Sequence, residues 1–281
     1  MTNQQTATAF APGHLTLLFS VIRGDEPRAT GSRGAGVNID AGVRTTVSPG
    51  DGTTYNGASI DLEPVDRVLD AIGVDAAVDI ESPLPLGAGF GASGAATLAT
   101  AIAANAAFDC AASENELIAH AHVAEVKSGT GLGDVVAQAR GGVPLRLEPG
   151  PPPVGRLDGI PARGRVEYLV LGEVETRQVL AGDVAHLSRA GERALTSVTA
   201  SPTLDRLFEA GWGFSREAGL VDAELEAVVE AVHDAGGLAA IGHLGRTVVA
   251  LDDGLTRAGY DPVVTAINAT GATIVGGDSH R

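Results

Sequence analysis

The chain has 281 residues, 44% of them hydrophobic, enough to bury a substantial core in one large domain or two smaller ones. Its formal charge of −16 at pH 7 opposes binding to nucleic acid or anionic membranes. A single cysteine, Cys110, excludes an internal disulfide and any multi-cysteine metal site. No apolar run of roughly 18 residues escapes interruption by glycine or polar residues, so no transmembrane helix is predicted. Residues 1–5 lack the basic and apolar regions of a signal peptide, and a cytoplasmic protein is the expectation. Lys127 is the one lysine; every other basic residue of the Lys/Arg set is arginine. If its ligands are anions, such a chain must supply positive potential locally, from backbone N–H groups, a helix N-terminus, arginines or a metal ion.

In chain order, residues 6–11 alternate weakly and end in Pro12-Gly13, which reads as a strand and a turn. Residues 15–22 read as a strand and 24–36 as a loop. Residues 37–47 then read as strands with a turn near Ala41-Gly42. Val65, Val68, Leu69 and Ile72 give helical spacing to 64–72, and 76–81 alternate as a strand. A Pro/Gly loop over 82–94 leads into an Ala-rich buried helix over 95–108. A second helix spans 114–126, with Ser113 and Glu116 spaced as a capping box. Another glycine-rich loop, 127–133, opens a short helix at 134–140, and a strand covers 143–147. Residues 148–155, with four prolines and two glycines, form the clearest linker. Beyond it come a strand at 166–171, helical signals at 176–191, and helices at 205–215 and 222–235. Strand material around Gly242 and Gly245, a helix at 263–269 and a last strand at 272–275 complete the chain. Strands and helices without strict alternation predict an α+β protein in two halves, 1–150 and 156–281.

The most informative stretch runs from Pro85 to Ala95. Gly87, Gly89 and Gly91 remove side chains where a backbone must approach a ligand closely. The loop enters a helix whose free N–H groups and dipole attract an anion, and Ser93 in the first turn can reach a phosphate oxygen or Mg²⁺. Gly89 to Gly94 also fits G-x-G-x-x-G, but Ser82 to Pro85 separates it from the preceding strand, and Asp109, at the expected acidic offset, ends a helix. A dinucleotide site is therefore disfavoured, and no Walker A loop exists because Val126, not glycine, precedes Lys127. A second dense patch runs from His122 to Asp134. His122 and Glu125 share a helix face. Asp134 at a helix start is either an N-cap or a general base for a substrate hydroxyl. Glu125 is either a surface carboxylate or an oxygen ligand completing Mg²⁺ with Ser93.

These residues resemble the GHMP kinase superfamily. Pro85 to Ala95 is similar to its phosphate motif, with Phe90, Ala92 and Gly94 as departures. Ala11-Pro12-Gly13-His14 resembles its first motif, with His14 where Lys or Arg is common. The third motif is degenerate, the nearest match being residues 240–247. Within the superfamily, the first motif, residues 30–36 and the Gly-Thr-Gly-Leu-Gly-Asp core ending at Asp134 resemble the archaeal pantoate kinases. The acidic, lysine-poor composition resembles that of haloarchaeal proteins. The resemblance implies a GHMP kinase fold, with an N-terminal half like ribosomal protein S5 domain 2 and a ferredoxin-like C-terminal half. It also implies ATP-dependent phosphorylation of (R)-pantoate in coenzyme A synthesis, and it allows a homodimer. Other readings are a GHMP kinase acting on homoserine or mevalonate, or the GHMP-like β-ribofuranosylaminobenzene 5'-phosphate synthase.

On this resemblance Pro85, Gly87, Ala88, Gly89, Gly91, Ala92, Ser93 and Gly94 would hold ATP. Ser93 and Glu125 would position Mg²⁺, and Asp134 would accept the proton of the substrate hydroxyl. The pantoate carboxylate would pair with Arg146 or Arg33, Arg146 being favoured. Ser32, His122 and Thr176 would add hydrogen bonds.

Overall fold

The computed structural model describes residues 6–172, 184–243 and 245–277. An antiparallel pair of long strands, β1 (Ala7–Ile22) and β2 (Gly31–Ser48), forms its spine. Pro12-Gly13 and Ala41-Gly42, read above as turns, lie inside these strands and opposite one another. There the register jumps from Pro12↔Gly42 to Gly13↔Ile39. Asp40 and Ala41 are thus extra residues on β2, a bulge that bends the ladder where proline cannot donate to it. The bend lets β2 use two different neighbours. Its second half pairs with β5 (Ala77–Glu81), and its first half pairs with β6 (Val143–Glu148) through Gly34↔Arg146 and Ala35↔Leu145.

Three short strands escaped the sequence reading: β3 (Thr53–Tyr55), β4 (Ala58–Ser59) and β7 (Arg156–Ile160). The first sheet has the order β12-β1-β2-β5-β3-β4, with β6 and β7 branching from β2, and its β12 is the terminal strand Thr273–Gly277. The second sheet is antiparallel, in the order β11-β8-β10-β9, from β8 (Arg165–Gly172), β9 (Ala239–Gly242), β10 (Arg246–Leu251) and β11 (Val263–Ala266). The helix expected at 263–269 is therefore a strand. Val263 and Val264 are β-branched and pair with Tyr168 and Glu167, and that pairing prevails over the local spacing.

Helices α1 (Glu63–Ile72), α2 (Ala92–Phe108), α3 (Glu114–Ser128) and α4 (Asp134–Arg140) pack together, and α2 lies on β1 and β2. α2 begins three residues earlier than the Ala-rich pattern suggested. Its alanines favour helix and present no bulk, so it is buried almost all round. α3 starts on the predicted capping box, with Ser113 Oγ accepting from Glu116 N–H and Glu116 Oε2 accepting from Ser113 N–H. It ends at Gly129 in the left-handed region, which places Glu125 in its last turn.

In the C-terminal half, α5 (Val184–Ala200) and α6 (Leu204–Glu217) cover β1, while α7 (Ala223–Asp234) and the short α8 (Gly254–Arg257) cover the second sheet. One apolar core joins the sheets, running from Leu15, Leu18 and Phe19 to Tyr168, Phe208 and Val249. No helix among the described residues is long and apolar enough to cross a membrane.

Candidate active site

The glycine loop bends into α2 at Gly91, whose φ of 61° makes it a left-handed N-cap with no side chain to satisfy the helix's first N–H groups. Those groups face a cavity of about 370 Å³. Gly87, Gly89, Gly91, Ala92, Ser93 and Gly94 line it, as expected for residues that cradle an anion. Pro85 is exposed outside it, and Ala88 is buried behind it, its carbonyl accepting a bond from Thr247 Oγ1 at 2.8 Å. The wall also includes Leu62, Leu86, Gly129, Thr130 and His243; all but Leu62 lie in the motifs named from sequence, though none was given a role of its own.

The degenerate third motif proves to be the wall behind the loop. A side chain on Gly245 would overlap the Ala88 carbonyl, so glycine there lets two backbones touch. His243 is buried against Ser215, and burial pushes its pKa down to about 3, so it stands in the wall as a neutral ring.

Asp134 lines this cavity beside the loop. Its Cγ lies 3.2 Å from where a Cβ on Gly91 would be. The N-cap of α4 is Gly133, and Asp134 makes no capping bond, which removes the capping alternative. Among the described residues its one side-chain hydrogen-bond partner is Thr16 Oγ1, at a long 3.4 Å. Burial raises its pKa, against the opposing pull of the Arg146 charge and the Thr16 hydroxyl. Glu125 is not a surface carboxylate but is fully buried. Its Oε1 accepts from Ser93 Oγ and Thr97 Oγ1, and its Oε2 from Thr130 Oγ1, all at 2.8 Å. Burial raises its pKa too; the three hydroxyls oppose the shift and the Asp134 charge adds to it. Gln138, one turn beyond Asp134, donates to Gly91 O at 2.8 Å and ties α4 to the glycine loop.

A buried carboxylate and a partly exposed one, close enough to repel one another, suit a divalent cation. Mg²⁺ characteristically takes one or two carboxylates and completes its shell with water and phosphate. The Ser93–Glu125 pair fits that donor set. Among the described residues no group of three or more His, Cys, Asp or Glu could hold a metal unaided, so phosphate oxygens would have to supply the rest.

Behind Asp134 lies the buried side chain of Arg146. No ion pair joins them among the described residues, although the charge of each is felt by the other. Ser32 is buried beside Arg146, both against Gly133. Arg33 lies on the opposite face of β2 and reaches Glu192 on α5, with 3.8 Å between Nη1 and Oε1, so the structure does not bring it to the cavity. His122 is buried, its Nε2 engaged with Thr30 O at 2.9 Å, which anchors the loop before β2. Thr176 lies outside the described residues.

A family model described as the GHMP kinases N terminal domain matches residues 62–142, the segment that carries the glycine loop, Glu125 and Asp134. The pantoate kinase of Methanocaldococcus jannaschii is 31% identical over 229 residues, 79% of this chain and 84% of that protein. The pantoate kinase of Thermococcus kodakarensis is 32% identical over 237 residues, 78% of each. A solved structure described as a phosphotransferase related to the CoA biosynthesis pathway superposes with a TM-score of 0.86 at 26% identity, covering 96% of this chain and 98% of its own. With this extent of similarity, and with the glycine loop, Asp134 and His243 of the third motif on one cavity and Glu125 bonded to Ser93 behind it, the chain belongs to the pantoate kinase family of the GHMP kinases.

Proposed function

We infer that this protein transfers the γ-phosphoryl group of ATP to the terminal hydroxyl of (R)-pantoate, giving (R)-4-phosphopantoate and ADP in coenzyme A biosynthesis. The observation that carries the reading is Asp134: a carboxylate with few hydrogen bonds among the described residues, set beside an uncapped helix N-terminus on the wall of one cavity. In this reading residues 1–150 are the ATP-binding half, and 156–281, apart from β7 and β12, which join the first sheet, back its phosphate loop through Gly245 and Thr247. Phosphates rest on the N–H groups of the glycine loop and the first turn of α2. Ser93 and Glu125 would hold Mg²⁺, which neutralises phosphate charge.

The substrate hydroxyl oxygen bonds to the γ-phosphorus as the bond from phosphorus to the ADP oxygen breaks. Asp134 takes the hydroxyl proton, a role that suits a carboxylate whose proton affinity burial has raised. Arg146 pairs with the substrate carboxylate, in preference to Arg33, which is engaged with Glu192. Ser32, beside Arg146, adds a hydrogen bond. The acidic, lysine-poor composition reads as salt adaptation, because molar salt shortens the Debye length to ~3 Å and relieves self-repulsion.

The test is ADP release with pantoate, homoserine, mevalonate and galactose, each in low and in molar salt. Pantoate should exceed galactose in kcat/KM by ~100-fold or more, since a site built around a buried arginine penalises an alcohol without a carboxylate; homoserine and mevalonate carry a carboxylate and should trail pantoate by less. Preference for any of the other three alcohols would replace this reading.

A further inference from the structure

His14, the residue that departs from the first motif, has no part in the chemistry above, yet it is 1% exposed and sits at the centre of a buried chain of hydrogen bonds. Asn38 Nδ2 donates to Ala137 O at 2.7 Å, which fixes its amide so that Oδ1 points at the imidazole. His14 Nδ1 lies 2.9 Å from that Oδ1, and His14 Nε2 lies 2.9 Å from Arg146 Nη1. A guanidinium can only donate, so Nε2 must be the acceptor and Nδ1 must carry the proton. One tautomer satisfies the whole chain, and it is neutral. Burial and the neighbouring Arg146 charge both disfavour the imidazolium. The ring lies over Gly36, where any side chain would collide with Cε1 and Nε2. Arg146 is packed in the same way against Gly34 and Gly133, and its Nε has no partner.

Buried arginines usually pair with an acid, which fixes them and cancels their charge. Here a neutral ring does the fixing. We propose that His14 is a positioning residue: a neutral imidazole, oriented by Asn38, that holds the Arg146 guanidinium without neutralising it and so keeps its charge for the carboxylate of the hydroxy-acid substrate. This rests on the pantoate reading of the site.

The test compares His14→Leu with His14→Gln, whose side-chain carbonyl can still accept from Arg146. Losing one acceptor to a buried cation should raise KM for pantoate by ~10- to 100-fold in His14→Leu while KM for ATP stays within ~2-fold. His14→Gln should stay within ~3-fold of the parent in both constants. An unchanged pantoate KM in His14→Leu, or equal damage to both substrates' KM in both variants, would overturn the proposal. The unmodified enzyme supplies a second reading, independent of folding of the variants and of activity. ¹⁵N NMR at neutral pH should show His14 protonated at Nδ1 only, and the opposite tautomer or an imidazolium would sink the idea. If the parent enzyme prefers an alcohol without a carboxylate, the functional reading fails. The NMR result still decides whether His14 is the neutral clamp.

Discussion

Asp134 lines the cavity and Glu125 is buried behind Ser93, and both have raised pKa values for the same leading reason, yet they are provisioned in opposite ways. Glu125 takes three hydroxyl bonds, each 2.8 Å. Among the described residues Asp134 takes one, at 3.4 Å. A carboxylate surrounded by donors is fixed in place, which suits an ion ligand. A carboxylate with lone pairs to spare, facing the cavity, can receive a proton. Hydrogen-bond satisfaction and burial together separate the two roles.

The largest expected effect tests the unsatisfied member of the pair. Asp134→Asn keeps the shape and removes the proton acceptor, and kcat should fall by ~10³- to 10⁴-fold with ATP affinity little changed. Normal turnover in that variant would end the base assignment. Glu125→Gln should lower kcat by ~10²-fold and raise the Mg²⁺ concentration needed for half-maximal rate, whereas Asp134→Asn should leave that concentration alone. A common Mg²⁺ dependence in the two variants would erase the distinction drawn here.

A third effect is on stability. Because folding raises the Asp134 pKa, the folded state keeps a proton that the unfolded chain has already lost, so stability falls as pH rises through the carboxylate range toward the folded value. In the absence of nucleotide, Asp134→Asn should therefore melt above the parent at pH 8, and the gap should close on acidification below the ordinary carboxylate pKa. Differential scanning calorimetry across that range measures it, and a gap independent of pH would contradict the sign. The smallest effect belongs to the satisfied member. Thr97→Val removes one of three donors to Glu125 and should cost about 1 kcal/mol of stability in urea titrations, with kcat within a few-fold of the parent. A much larger loss of turnover would show that the donors tune chemistry and not merely placement.

Local chemistry made part of this site legible without coordinates. Gly87, Gly89 and Gly91 before an alanine run, a capping box at Ser113 and a glycine loop ending at Asp134 are signals that lie within a few residues of one another, and the backbone obeys them. The same locality produced the errors. Pro12-Gly13 and Ala41-Gly42 look like turns until one sees that they face each other across a bulge in a continuous ladder. Residues 263–266 look helical until Tyr168 and Glu167 are there to pair with them. Thr97 could have been noticed four residues after Ser93, on the same face of α2, and Thr130 within the glycine loop itself.

The sequence by itself determined which segments bring backbone N–H groups and carboxylates to the site, because caps, glycine turns and helix starts depend on neighbours in the chain. Only the tertiary structure decided which acid is satisfied and which is bare, that Arg33 turns away to Glu192, that Gly245 backs the phosphate loop, and that Arg146 rests on His14, 132 residues earlier. Those outcomes depend on strand register and burial, which bring distant residues within hydrogen-bond range, and no local pattern encodes them.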